Sequence, residues 1–169
     1  MATYSVNTTG DLSTQLKIIS GTPQTNIYRR SYLKFNITNP PFTLSEITSV
    51  QIKVYCSYIN LGTATIRLRS SINNGWGSTL DANFSDYNST DDYIEDDVSV
   101  TGTGFWYFDV DKNHLNLNGW TYFRLSYYNE GNQGRIDFTS QNGSPSTNRP
   151  TLIIKYEKGG KAFTQAYIF

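Results

Sequence analysis

The sequence predicts an all-β protein, an antiparallel jelly-roll-like β-sandwich with one short helix at most. Three observations lead there. Apolar residues recur at every second position in one segment after another. The connections between those segments, "NPP", "NLGT", "NNGWGS", "NEGNQG" and "NGSPSTNRP", are built from residues that favour turns. The composition is rich in Tyr, Thr, Ser, Asn and Gly and contains a single methionine, which favours strands and turns over helices. Alternation also implies sheets with one solvated face, as antiparallel layers have.

Taken in order, "LSTQLKI" places Leu12, Leu16 and Ile18 on one face, and "SYLKFNI" does the same with Leu33, Phe35 and Ile37. "SVQIKVYCSY" aligns Val50, Ile52, Val54, Cys56 and Tyr58. "ATIRLRSSI" sets Ile66, Leu68 and Ile72 against Thr65, Arg67 and Arg69, so one side of that strand faces water. Residues 81–97, "DANFSDYNSTDDYIEDD", read as a long acidic loop. Further strands are expected at Val98–Val100, Phe105–Val110, Thr121–Tyr128, Gly134–Thr139 and Thr151–Glu157. The helical candidate is "DKNHLNLNG", two turns at most, with Asp111 as N-cap and Gly119 as the stop.

A chain of 169 residues is long enough to bury one core without metal or disulfide staples. We expect one domain over residues 1–158 and a separate tail over 159–169. Fourteen basic residues balance fourteen acidic ones, and the basic residues are scattered, so no phosphate-tracking footprint for nucleic acid is present. No window is apolar enough to cross a bilayer. The start, "MATYSVNTTG", lacks a basic cluster followed by an apolar run, so no secretory signal is expected. The chain therefore reads as complete and made in a cytoplasm, a profile shared by proteins assembled into virus particles. The one cysteine, Cys56, sits inside an alternating apolar run and reads as a small buried hydrophobe.

These pieces together resemble the DNRLRE-type domains, a group of β-sandwiches related to carbohydrate-binding modules. "RRSYLKFNIT" followed by "ITSVQIKVY" is similar to the opening of that family, with Arg30, Leu33, Phe35, Ile47, Ser49 and Ile52 in its places. "INNGWGSTLDANFSDY" resembles its Trp-rich middle segment, with Trp76 in the first Trp position and Phe84 near the second. "GFWYFDVDKNHLNLNG" and "IDFTSQNGSPSTNRPTLIIKY" resemble its later strands, and the likeness spans about residues 28–157. Asp111 stands where that family has Thr. The resemblance implies a sandwich that binds polysaccharide.

No catalytic constellation stands out. The only histidine, His114, has no nucleophile elbow to serve, and one histidine with one cysteine cannot build a zinc site. A flexible acidic loop seldom holds two carboxyls at the spacing glycoside cleavage needs. Calcium could draw on Asp91, Asp92, Glu95 and Asp96, but a solvated loop is the simpler reading, and no cofactor is expected.

The aromatic residues can then be apportioned. Trp106, Phe108 and Val110 share one face and belong to the core, while Phe105 and Tyr107 point away, toward a second sheet or a partner. Phe123, Leu125 and Tyr127 form the buried face of their strand, leaving Trp120, Tyr122 and Tyr128 beside Arg124 as a sugar platform. Trp76, between glycines in a loop, is the other candidate ring. The tail "KAFTQAYIF" is apolar on both strand faces, and Phe163, Tyr167, Ile168 and Phe169 suit docking on another chain. The expectation is a non-catalytic binding protein on a virion surface, a bacteriophage decoration, fibre or tail component. The alternative is a secreted or cell-surface polysaccharide-binding module or adhesin domain. Expected partners are other virion or surface-assembly proteins held by the tail, a glycan, and further copies in a homo-oligomer.

Overall fold

The computed structural model describes residues 1–7, 15–20, 30–71, 92–128 and 134–159, with residues 15–20, 71 and 92 as backbone alone. Among these the strands are β1 (Ala2–Asn7), β2 (Gln15–Ser20), β3 (Ser31–Ile37), β4 (Ile47–Ile59), β5 (Ala64–Ser71), β6 (Asp92–Val100), β7 (Gly104–Asp109), β8 (Gly119–Tyr127), β9 (Gly134–Thr139) and β10 (Thr151–Tyr156). All pairings are antiparallel. The protein is an all-β sandwich of two sheets.

The smaller sheet runs β3-β8-β5-β6. The larger is organised around β4, which pairs β7 along one edge. Gln51 and Ile52 pair both β10 and β7, and Cys56 pairs both β9 and β7, so β10 and β9 lie end to end along the opposite edge. β1 continues outward from β10, and β2 from β9. The larger sheet is thus four strands wide, two of them interrupted, facing a four-stranded partner: the jelly-roll-like arrangement expected.

Alternation decides which side chains meet between the layers. Leu33, Phe35 and Ile37 of β3, Ile66 and Leu68 of β5, and Phe123, Leu125 and Tyr127 of β8 are buried from one side. Val50, Ile52, Val54 and Cys56 of β4, Phe108 of β7, Ile136 and Phe138 of β9, and Leu152 and Ile154 of β10 are buried from the other. Trp106 packs against this core and donates its indole N–H to the Gly102 carbonyl at 3.1 Å. Gly104, at φ +135°, makes the turn into β7 in a conformation L side chains rarely adopt.

Two expectations need correction, one element stays well within its expected length, and one strand lay outside the pattern. Residues 92–97 are not loop but the first two-thirds of β6; their charges do not prevent pairing because the neighbouring strand β5 supplies complementary groups, with Arg67 directly opposite Asp97. Tyr58 leaves the core face, because a bulge between Cys56 and Tyr58 turns it outward to 45% exposure. The helix after Asp111 shrinks to a single 3-10 turn, Lys112–His114. Its cap is as expected, Asp111 Oδ1 accepting from the Asn113 N–H at 2.9 Å, but Asn116 then accepts from the Asn118 N–H, a local turn that competes with helix. Finally, β1 was not anticipated; Tyr4 and Val6 are its only inward apolar pair. The strand expected around residues 12–18 lies at β2, where no side chain is described.

Candidate glycan-binding faces

The outward side of β8 carries Trp120, Tyr122, Arg124 and Ser126, with Tyr128 just beyond the strand end, because Thr121, Phe123, Leu125 and Tyr127 take the inward positions. Strand register fixes their neighbours: Trp120 lies opposite Asn36, Tyr122 opposite Lys34, Arg124 between Tyr32 and Arg69, and Ser126 opposite Arg67. This is the outer surface of the smaller sheet.

Two exposed rings mark its ends. Trp120 is 36% exposed with Lys34 Nζ 4.6 Å from its ring centre, and Tyr128 is 57% exposed with the Arg67 guanidinium 4.4 Å away. Such cation–π contacts stabilise by about 0.5–1 kcal/mol at exposed sites, enough to bias ring orientation. Arg67 is itself fixed, its Nε and Nη2 forking onto Asp97 at 2.8 and 2.7 Å. That carboxylate holds the guanidinium even more firmly protonated than usual. Eight steps of extended chain separate the rings, roughly 26 Å.

The expected platform is therefore assembled on one face, with one correction: Arg124 is 6% exposed and belongs to the floor rather than to an open rim. On the flanking strands β3 and β5 its register neighbours are Tyr32 and Arg69. Tyr122 is half-buried. Trp76 and the residues expected to dock, Phe163, Tyr167, Ile168 and Phe169, lie outside the described residues, as does Asp91. Lys34 and Arg67 are the members sequence reasoning missed. Their signal was present in the alternation of β3 and β5, which turns both cations outward.

The described acidic side chains of β6 have structural partners. Glu95, its side chain 1% exposed, accepts from the Ser70 hydroxyl, from His114 Nδ1 at 2.6 Å and from the Asp111 N–H at 2.7 Å. His114 stacks on Tyr93, ring centres 4.3 Å apart. Asp96 accepts from the Asp109 N–H at 2.9 Å and from the Asp97 N–H at 2.8 Å. Of the calcium candidates, Glu95 and Asp96 thus spend their oxygens on protein donors, and the side chain of Asp92 is not described.

On the larger sheet, Phe105 and Tyr107 of β7 point outward, 44% and 46% exposed, beside Tyr55 and Lys53 of β4.

The profile of carbohydrate-binding module family 96 matches residues 3–156, nearly the whole of both sheets. The chain belongs to carbohydrate-binding module family 96. The match begins in β1 and ends at the last residue of β10, so it takes in the strand that alternation alone did not reveal. No match was found among curated proteins. As a family 96 module the chain is a carbohydrate-binding domain, and rings held on the outside of a sandwich are the groups such a domain needs: sugar C–H faces stack on aromatic surfaces while their hydroxyls reach polar neighbours.

Proposed function

We propose that this domain is a non-catalytic module that binds an extended polysaccharide along β8, on the outer face of the smaller sheet. The observation that carries the reading is the pair of exposed, cation-braced rings, Trp120 and Tyr128, at the two ends of one strand in a carbohydrate-binding family. Tyr122 and Tyr32 lie between them. Lys34 and Arg67 add hydrogen-bond donors that suit hydroxyls or carboxylates on the chain. Non-catalytic action is supported by the way Glu95 and His114 are used. Each holds the other within the fold, and neither is left aimed at a ligand face.

Trp120 fluorescence gives the test. Titration with a panel of neutral polysaccharides (xylan, galactomannan, β-glucan) and acidic ones (pectate, alginate) should shift the emission of the wild type with at least one member. The shift should vanish in Trp120→Phe, while a shift that persists there contradicts the reading.

The kinship to DNRLRE-type domains and a place on a virion or cell surface are part of the same proposal, supported by the sequence pieces quoted above and by the tail. Residues 159–169 would dock on a partner chain. The domain's own hydrogen bonding reaches Gly159, whose N–H donates to Glu46 at 3.3 Å, so a chain ending there keeps that contact. Removing residues 160–169 should leave thermal unfolding unchanged within a few degrees and abolish assembly. Loss of folding in that truncation would overturn the docking role.

A further inference from the structure

We propose a second glycan-binding face on the opposite side of the sandwich, formed by Tyr55, Phe105 and Tyr107 with Lys53, Gln51 and Asp109. It rests on membership of a carbohydrate-binding family and is independent of the face along β8. The domain would then be bivalent.

The geometry follows from register. Strand β7 pairs β4 so that Phe105 lies opposite Tyr55, Tyr107 opposite Lys53, and Asp109 opposite Gln51. All six side chains point out of the larger sheet, because Trp106 and Phe108 take the inward positions. Phe105 meets Tyr55 edge to face, ring centres 5.0 Å apart at 71°, and Lys53 Nζ lies 5.0 Å from the Phe105 ring centre. Gln51 Nε2 donates to Asp109 Oδ1 at 2.8 Å, and Lys53 Nζ donates to the Thr147 carbonyl at 3.3 Å. Phe105 and Tyr55 are thus fixed against each other, with Tyr107 in the next register row opposite Lys53.

That mixture selects the occupant. The core of a protein interface is more apolar and depleted of charge, whereas here Lys53 shares the central row with Tyr107, and Gln51 and Asp109 form a polar row beside it. A sugar has the matching surface, apolar C–H faces rimmed by hydroxyls. Addition of a partner strand to the β7 edge is obstructed near its C-terminal end, where the outward N–H groups of Asp109 and Asp111 already donate to Asp96 and Glu95. The face, rather than the edge, is what remains accessible.

Amide shift mapping of the isotopically labelled full chain separates the two faces, using oligosaccharides from the same neutral and acidic panel. The expected result is two sets of shifts, one around Tyr55, Phe105 and Tyr107 and one around Trp120 and Tyr128. The double variant F105A/Y107A should lose the first set, weakening binding there about tenfold or more. It should retain the second set and the native spectrum elsewhere. It should also lose the ability to cross-link and precipitate soluble polysaccharide, which needs two sites per chain. If only the Trp120 set moves, the second face is wrong and the first stands. If only the β4–β7 set moves, the first is wrong and the second stands; if neither moves, both fall.

Discussion

Cys56 is wholly buried, and burial pushes its thiol up to about 11 from an ordinary 9.0. Tyr127, on the facing sheet, is pushed up to about 12 by the same cause. Both groups favour their neutral forms in the folded chain. Their contribution to stability is therefore complete below about pH 9 and is lost as pH rises through the folded values. We expect Cys56 to resist a thiol-specific reagent at pH 8 in the native protein and to react stoichiometrically in denaturant. Rapid reaction without denaturant would contradict its placement. Glu46 illustrates the opposite sign. Its carboxylate accepts from the Thr43 N–H at 2.7 Å, the main reason it is held below the ordinary glutamate value, with further bonds from the Gly159 N–H and the Thr43 hydroxyl. What that contact adds to stability is present above the ordinary value and lost as pH falls through the lowered one. A carbon-detected titration should give Glu46 a midpoint below 4.5, and a midpoint at or above it would contradict the contact. At this scale the burial of Cys56 was legible from its place in "KVYCSY", whereas that of Arg124 was not. Period-two alternation assigns Arg124 to the outer face correctly but says nothing of how deeply an outward position is covered.

Strand β6 is the element whose sequence misleads most. "DDYIEDD" lacks apolar periodicity and reads as a solvated loop, yet each described carboxylate there holds a donor of a neighbouring element. Asp97 binds Arg67 of β5, Asp96 binds the edge of β7, and Glu95 binds Ser70, His114 and Asp111. Its strand character lies in those partners, which are distant in sequence and so invisible to a local window. Glu95→Ala should leave the buried Ser70, the half-buried His114 and the exposed Asp111 N–H without their acceptor and lower unfolding free energy by about 2–4 kcal/mol, measured by urea denaturation. A loss below about 0.5 kcal/mol would show the cluster to be incidental. Strands β3, β4, β5 and β8 were legible because each alternates over at least seven residues. The bulge that turns Tyr58 outward was not, since one unpaired residue changes the face without changing the composition. Asp97→Asn should loosen Arg67 and with it Tyr128, weakening glycan binding severalfold while costing less than about 1 kcal/mol in stability, because the pair is partly exposed.

For the whole molecule, the many rings divide by direction. Phe35, Phe108, Phe123 and Phe138 fill the space between sheets, and Phe105, Tyr107, Trp120 and Tyr128 stand outside it. The two-layer body was predictable from pattern alone, since strands with one apolar face must pair those faces. The outer faces were legible only in part, because single-strand periodicity shows which residues point outward but not which cations of adjacent strands lie over them. Membership of carbohydrate-binding module family 96 makes the chain a carbohydrate-binding domain, and the proposed sites put its ligand on those exposed rings. The most direct test is calorimetric titration with the best-bound oligosaccharide from the panel, comparing the wild type with W120A/Y128A, both shown to be folded. The expected result is loss of the binding event assigned to β8, or at least a tenfold weakening of it. Unchanged affinity and stoichiometry in the double variant would contradict it.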